Sequence, residues 1–291
     1  MALASVTERI LKRLASSDAQ PRPLTADDVH RILRDAERLQ DNWGTDYEYD
    51  RHQGPAPALD VILRDEVLPT LHLVPADADR LVEAARQEQA RRDQRRRQAA
   101  LRELHAAVGR RFAEASLDNY EATSAEQKKV LEAVKGYAAN IGQHVADGAG
   151  LVAFGAAGTG KTHLLAAVAK VAVEADLTIH WINGQDLFAR FRAAIDGSES
   201  EAKIVQGFVS PDVLVVDDVL PPSGALTEYQ ASTLYRIVDA RYRACSPTWA
   251  TLNVANGAEA ERGMSAQVVD RLRHGSLCVF CDWPSHRKAQ A

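Results

Sequence analysis

The 291-residue chain predicts an α/β domain, a five-stranded parallel sheet between helices, preceded by an all-helical N-terminal domain. Three observations predict it. After Gly150, short apolar runs alternate with amphipathic helical stretches, the pattern of parallel strands joined by crossover helices. Before Gly150 the pattern is helical, and no run reads as a strand of convincing length. Between the first apolar run and the helix after it lies a glycine-rich turn with the spacing of a phosphate-binding loop.

From the N-terminus, residues 24–60 are acidic and aromatic, with Asp27, Asp28, Asp35, Glu37, Trp43, Asp46, Tyr47, Glu48, Tyr49 and Asp50. The Gly54–Pro57 turn signal interrupts them. From about Asp77 to Ala115 runs a proline-free stretch of helix formers. Within it, Arg91 to Arg111 carries eight arginines against two acids. Such a run is either a solvated helix face or a basic surface for a nucleic-acid backbone or an acidic partner. These shifts, with the family resemblance given below, divide the chain into a helical N-terminal region (1–76), which that resemblance implies is partner-binding, a long basic helix or linker (77–116) and a nucleotide-binding domain (117–291).

In the last of these, the expected strands are Leu151–Phe154, Thr178–Ile182, Asp212–Val216, Thr248–Leu252 and Leu277–Cys281. Each is short, apolar and bounded by turn residues, as strands covered on both faces should be. In the helix Gln230–Arg243, the apolar residues Leu234, Ile237 and Val238 recur at helical spacing.

The loop reads Gly155-Ala156-Ala157-Gly158-Thr159-Gly160-Lys161-Thr162, a complete G-x-x-x-x-G-K-[ST] motif between a strand and a helix. Glycines let successive backbone N–H groups turn inward around phosphate oxygens, and the helix N-terminus adds partial positive charge. Lys161 would reach the β- and γ-phosphates and Thr162 would hold Mg²⁺, so the chain is expected to bind a nucleoside triphosphate. Some fifty residues on, the apolar run Val213–Val216 ends in Asp217 and Asp218. Two carboxylates at a strand's C-terminal end, beside the phosphate loop of a neighbouring strand, fit a Mg²⁺-holding acid (Asp217) and a water-orienting base (Asp218). A further strand ends in Asn253, placed to present its amide to the γ-phosphate.

Composition narrows the rest. A net charge of −5 argues against a nucleic-acid coat, so any nucleic-acid contact must come from a local patch. The three cysteines give no disulfide framework, and Cys278-Val-Phe-Cys281 lacks the second pair that zinc would need. No 18-residue apolar run and no leader pattern occur, so a cytoplasmic protein with no membrane span is expected.

The order phosphate loop, double Asp, strand-terminal Asn resembles an AAA+ ATPase, and within that group the DnaC/IstB family of helicase loaders and transposon helper proteins. The resemblance covers about 117–288. It includes Leu117-Asp-Asn-Tyr120 with the helical Gln127–Ile141, Gly160-Lys-Thr-His163-Leu, Leu234–Tyr242, Val269-Asp-Arg271-Leu-Arg273-His-Gly275 and Asp282-Trp283-Pro-Ser-His-Arg287. It implies ATP and Mg²⁺ as cofactors, Tyr120 near the adenine, and His163 at the loop exit. It further implies Arg271, or its neighbour Arg273, as an arginine finger acting on a neighbouring subunit, and Arg287 as a sensor acting in cis. It implies no full C-terminal helical lid, and a helical wedge at 186–203 whose Arg190, Arg192 and Lys203 would meet single-stranded DNA. Phe188 and Phe191 in that wedge are either stacking or core residues.

The implied activity is ATP hydrolysis that places a replicative hexameric DNA helicase on single-stranded DNA, in a bacterial or phage-infected cell. A transposition helper, a nucleotide-gated adaptor with little hydrolysis and a small-molecule kinase are the alternatives. The C-terminal arginines and Asn253 weigh against the kinase, and the intact Asp217–Asp218 pair weighs against the adaptor.

Overall fold

The computed structural model describes residues 24–41, 43, 56–70, 73, 75–195 and 200–287. Tyr47, Tyr49 and Gly54, singled out in the sequence, lie outside them. The chain divides into two compact units, Met1–Arg96 and Arg97–Ala291.

The described part of the first unit is helical. Helix α1 (Ala26–Asp41) and the short α2 (Leu59–Ile62) are joined by the first turns of a long helix, α3 (Pro75–Val108). They bury Ile32, Leu33, Ala36, Leu59, Ile62, Leu63, Leu81 and Ala85 in one cluster. The arginines of α3 are largely matched with acids: Arg86 with Asp60, Arg91 with Glu88, Arg92 with Asp41 and Arg96 with Asp93. Helix α3 stops where Gly109 takes φ +78°, a left-handed conformation that ends a helix readily. Turns rather than helix therefore follow to residue 124.

The second unit is a doubly covered parallel sheet. Its strands are β1 (Leu151–Gly155), β2 (Ile179–Asn183), β3 (Val213–Asp217), β4 (Thr248–Leu252) and β5 (Leu277–Cys281), in the order β2-β3-β4-β1-β5. Each expected strand is present within one residue at either end. Side chains on a strand alternate between faces, and the two cores follow that alternation. Leu151, Ala153, Val213 and Val215 enter the core formed with α4 (Ala125–Ala139) and α6 (Lys161–Glu174), which α5 (Ile141–Ala146) extends. Val152, Leu214 and Val216 enter the core on the other face. That face carries α7 (Gly184–Ile195), α8 (Glu201–Val209), α9 (Glu228–Arg243), α10 (Gly257–Met264) and α11 (Ala266–Arg273).

Two expectations need correcting. The double-acid strand β3 is not adjacent to β1; β4 lies between them and pairs with both. Strand β5 is not covered on both faces. It is an edge strand with Cys281 buried and Cys278 and Phe280 exposed, so the cysteine pair straddles the sheet. Among the described residues no group of three His, Cys, Asp or Glu could hold a metal ion. No described helix is long and apolar enough to cross a membrane.

Candidate functional site

A cleft of about 340 Å³ opens at the C-terminal ends of β1, β3 and β4. This is where ligands bind in open parallel sheets, and the size suits a nucleotide. Strand β1 delivers the phosphate loop. Gly155 has φ +140° and sits so close to β5 that a Cβ there would lie 2.3 Å from the Cys281 carbonyl oxygen. Gly160 has φ +94° and a Cβ would press on the Tyr120 ring at 2.9 Å. Both positions exclude a side chain by conformation and by space.

Lys161 opens α6 and is buried, its Nζ donating to the carbonyls of Gly155 (2.9 Å) and Ala156 (2.7 Å). Burial pushes its pKa down, and the nearby Cys281, Asp218 and Asp217 oppose that shift. Thr162 Oγ1 donates to Asp217 Oδ1 at 3.0 Å. Burial is the main cause of a raised Asp217 pKa, partly offset by the hydroxyls of Thr251 and Thr162. A half-buried carboxylate beside a threonine hydroxyl is a hard oxygen pair of the kind Mg²⁺ takes.

Asp218 occupies an unusual conformation, φ +49°, outside the glycine-only positions of the loop. Such strain persists where the surroundings impose it, and here two neighbours do. The Asp218 N–H donates to Thr251 Oγ1 (2.7 Å), and Asn253 Nδ2 donates to Asp218 Oδ1 (2.9 Å). Thr251 is fully buried and also donates its hydroxyl to Asp217 Oδ1 at 2.7 Å. Strand β4, intervening between loop and acids, and Asn253 just after it thus fix both carboxylates. Thr251 carries no mark of this role in the sequence, where it reads as one more residue of a β-rich run.

Two distant segments brace the loop from behind. Tyr120 Oη and Trp283 Nε1 both donate to the Thr159 carbonyl, at 3.3 and 2.8 Å. The His286 N–H donates to the Gly158 carbonyl at 2.9 Å, and its ring nitrogen meets Gln127 Nε2 at 3.2 Å. Gln127 is itself fixed in the capping box that starts α4. His163 contacts the Ser116 carbonyl through Nε2 (3.0 Å) and packs edge-on against Tyr120. Trp283, His286 and Gln127 lie in segments that carry the family resemblance, but nothing in those segments marks them for these contacts.

The cleft therefore gathers Tyr120, Ala157, Gly158, Gly160, Lys161, Thr162, His163, Asp218, Asn253 and Arg287, with Asp217 directly behind Thr162. Arg111, from the end of the basic run, Asn119, from the segment before Tyr120, and Phe112 line it as well, none of them expected there as a site residue. Arg271, Arg190, Arg192 and Lys203 are elsewhere. Arg190 and Arg192 are exposed on α7 and Lys203 is exposed in the first turn of α8. The Arg190 guanidinium lies 5.6 Å over the Phe208 ring. Phe188 and Phe191 are core residues, buried against Phe208 and Leu234.

Comparison with known proteins extends the likeness beyond this cleft. A replicative helicase loader DnaC of Buchnera aphidicola is 29% identical over 182 residues, 60% of this chain and 69% of that protein. An insertion-sequence ATP-binding protein of Sinorhizobium fredii is 27% identical over 251 residues, 80% of each chain. That span is too long to be confined to the sheet-bearing unit. The crystal structure of a DnaC helicase loader matches the fold with a TM-score of 0.54, at 22% identity, over 60% of this chain and 99% of that one. The family model described as IstB-like ATP binding protein matches residues 76–291, most of the chain. With the phosphate loop, paired acids and Asn253 converging on one cleft, the chain belongs to the IstB-like ATP-binding family.

Proposed function

We propose that this ATP-binding protein is an ATPase that loads a replicative hexameric DNA helicase onto single-stranded DNA. Hydrolysis would time release or switching. The observation that supports catalysis is the Asp218–Asn253 hydrogen bond at the mouth of the cleft, opposite Lys161. The 29% identity to a replicative helicase loader over 182 residues supports the client.

The loop amides and Lys161 hold the triphosphate. Asp218 takes a proton from, or orients, a water that attacks the γ-phosphorus. The bond to the bridging oxygen breaks, giving ADP and phosphate. Asn253 fixes Asp218 and faces the γ-phosphate. Thr162 and Asp217 have the donor chemistry to hold Mg²⁺, which supplies charge neutralisation at the phosphates. Tyr120 and His163 shape the adenine side, and Arg287 acts as a sensor from the same chain. Arg271 acts from a neighbouring copy, so turnover depends on self-association. Arg190, Arg192 and Lys203, exposed on the paired helices between β2 and β3, contact single-stranded DNA. Residues 1–76 bind the client, 77–116 connect, and 117–291 form the ATPase, all in the cytoplasm of a bacterial or phage-infected cell.

One observation favours a second reading, a transposition helper. The insertion-sequence relative is similar over 80% of the chain, reaching into the N-terminal unit. The two are separated by presenting the full chain with ATP to a hexameric replicative helicase and to a transposase. Retention of the helicase is expected. Retention of the transposase alone would install the second reading.

Thr251→Val tests the hydrolytic part. It removes one buried donor from Asp217 and the acceptor for the Asp218 N–H, at about 1–3 kcal/mol. Turnover is expected to fall about tenfold while the affinity for a fluorescent ATP analogue changes by less than about threefold. An unchanged turnover would free Asp218 from dependence on β4.

A further inference from the structure

Arg271 lies in the last turn of α11 and is restrained by its own chain. Its Nε donates to Asp239 Oδ1 (2.8 Å), Nη1 to the Gln267 carbonyl (3.2 Å) and Nη2 to the Tyr235 hydroxyl (3.1 Å). The guanidinium carbon is 4.8 Å from the Tyr235 ring centroid and 5.8 Å from that of Tyr242. A guanidinium has five N–H donors, so two remain uncommitted, one on each Nη. Asp239 is restrained in turn, its second oxygen accepting from Arg243 Nε at 3.0 Å. The hydrogen bond from Arg271 is the main cause holding the Asp239 carboxyl below its ordinary range.

The spacing explains the clamp. Tyr235, Asp239 and Tyr242 stand at i, i+4 and i+7 on α9, one face of a helix. Two residues along α11, Arg273 falls on a different side and lines a small apolar cavity with Val152, Leu252 and Cys278. Of the two arginines in this stretch, one is therefore held in a fixed pose by an acid and two rings, and the other is not held by them. A long arginine side chain loses considerable rotamer freedom when it is fixed. A cation that must meet a γ-phosphate across a subunit boundary gains from having that freedom removed beforehand.

We propose that Asp239 is the positioning residue for Arg271. With Tyr235 and Tyr242 it presets the guanidinium for the triphosphate bound by a neighbouring copy of the chain. Asp239 then affects hydrolysis only in the assembled form and only through Arg271. The proposal rests on the reading of Arg271 as a finger.

The test uses the full chain, with ATP turnover measured over a range of protein concentrations beside ATP-analogue affinity and melting temperature. Asp239→Asn is expected to lower the plateau turnover about tenfold, with affinity and melting temperature unchanged. Asp239→Glu, which keeps the charge, should recover part of the loss. In an Arg271→Ala background, Asp239→Asn should cost nothing further. Mixing Asp239→Asn chains with Lys161→Ala chains, which carry an intact Arg271 clamp, should restore turnover at the sites the former provide. Normal turnover of Asp239→Asn beside a slow Arg271→Ala overturns the proposal and leaves the finger standing. Normal turnover of Arg271→Ala removes both. Additive losses in the double variant, or a matching fall in melting temperature, would make Asp239 a purely structural residue and overturn the proposal.

Discussion

Replacing Asp218 by Asn is expected to leave nucleotide binding intact and to slow hydrolysis by at least about tenfold, approaching the 10²-fold typical of a lost general base. The substitution isolates chemistry from geometry. Asparagine, like aspartate, tolerates a left-handed backbone, so φ +49° costs it little. The contact that fixes this conformation is made by the Asp218 backbone N–H to Thr251, which the substitution does not touch. The new side chain keeps an oxygen that accepts from Asn253 Nδ2. What disappears is the negative charge and the ability to take a proton. Alanine would be a poorer probe, because it adds about 1 kcal/mol or more of backbone strain at this φ and removes the Asn253 contact.

The same substitution leaves the binding half of the site in place. Lys161 is held by the loop's own carbonyls, and Thr162 keeps Asp217. Loss of the Asp218 charge also removes a repulsion that contributes to the raised Asp217 pKa, so the Thr162–Asp217 pair remains suited to a cation. ATP-analogue affinity and phosphate release, measured on one preparation, separate the two halves. Unchanged release would take the base role away from Asp218.

The parts of this site legible in the sequence are those whose signal is local. A phosphate loop is eight consecutive residues, and its strand and helix flank it directly. The strands are readable because burial on both faces leaves apolar runs, as in Val213–Val216, all buried. Strand β5 departs from that pattern because an edge strand has one face uncovered, which exposes Cys278 and Phe280. Sheet order was not legible. Nothing in the spacing of β1, β3 and β4 says that β4 inserts between the other two, yet that insertion puts Thr251 against both acids. Contacts across many residues were equally silent, as in Trp283 on Thr159 or Asp239 on Arg271. The charge run on α3 shows the limit of composition. Read from sequence it is a basic surface or a solvated face, and the folded chain pairs four arginines of the run, Arg91, Arg92, Arg96 and Arg97, with Glu88, Asp41, Asp93 and Asp176.

Arg241 is the most consequential residue that looked ordinary, and Arg241→Met is expected to destabilise the sheet-bearing unit by about 3–5 kcal/mol. In sequence it is one of several arginines at the end of an amphipathic helix. Folded, it is fully buried and donates to five backbone carbonyls. Nη1 serves Phe208 (3.0 Å), Val209 (3.0 Å) and Pro211 (2.8 Å), while Nη2 serves Asp212 (2.9 Å) and Pro247 (2.7 Å). Two of these are C-terminal carbonyls of α8, which have no partner within the helix and carry its negative end. The others start β3 and β4, so one side chain ties the entry of two central strands to α8 and α9. Burial depresses its pKa to about 10, which leaves it charged at neutral pH, and the nearby Asp212 partly offsets that cost. Methionine fills similar volume but offers no donor, and carbonyls shut away from water then lose the one Arg241 supplied. Lysine offers three donors from one point and cannot span five acceptors, so it should recover only part of the loss. For a unit of this size the expected fall in melting temperature is about 10 °C. The ATP site should weaken in step with unfolding, because Asp217 ends the strand whose start Arg241 fixes. A melting temperature within about 2 °C of the parent would mean that water or a backbone shift satisfies those carbonyls, and Arg241 would not be the tie between the strands.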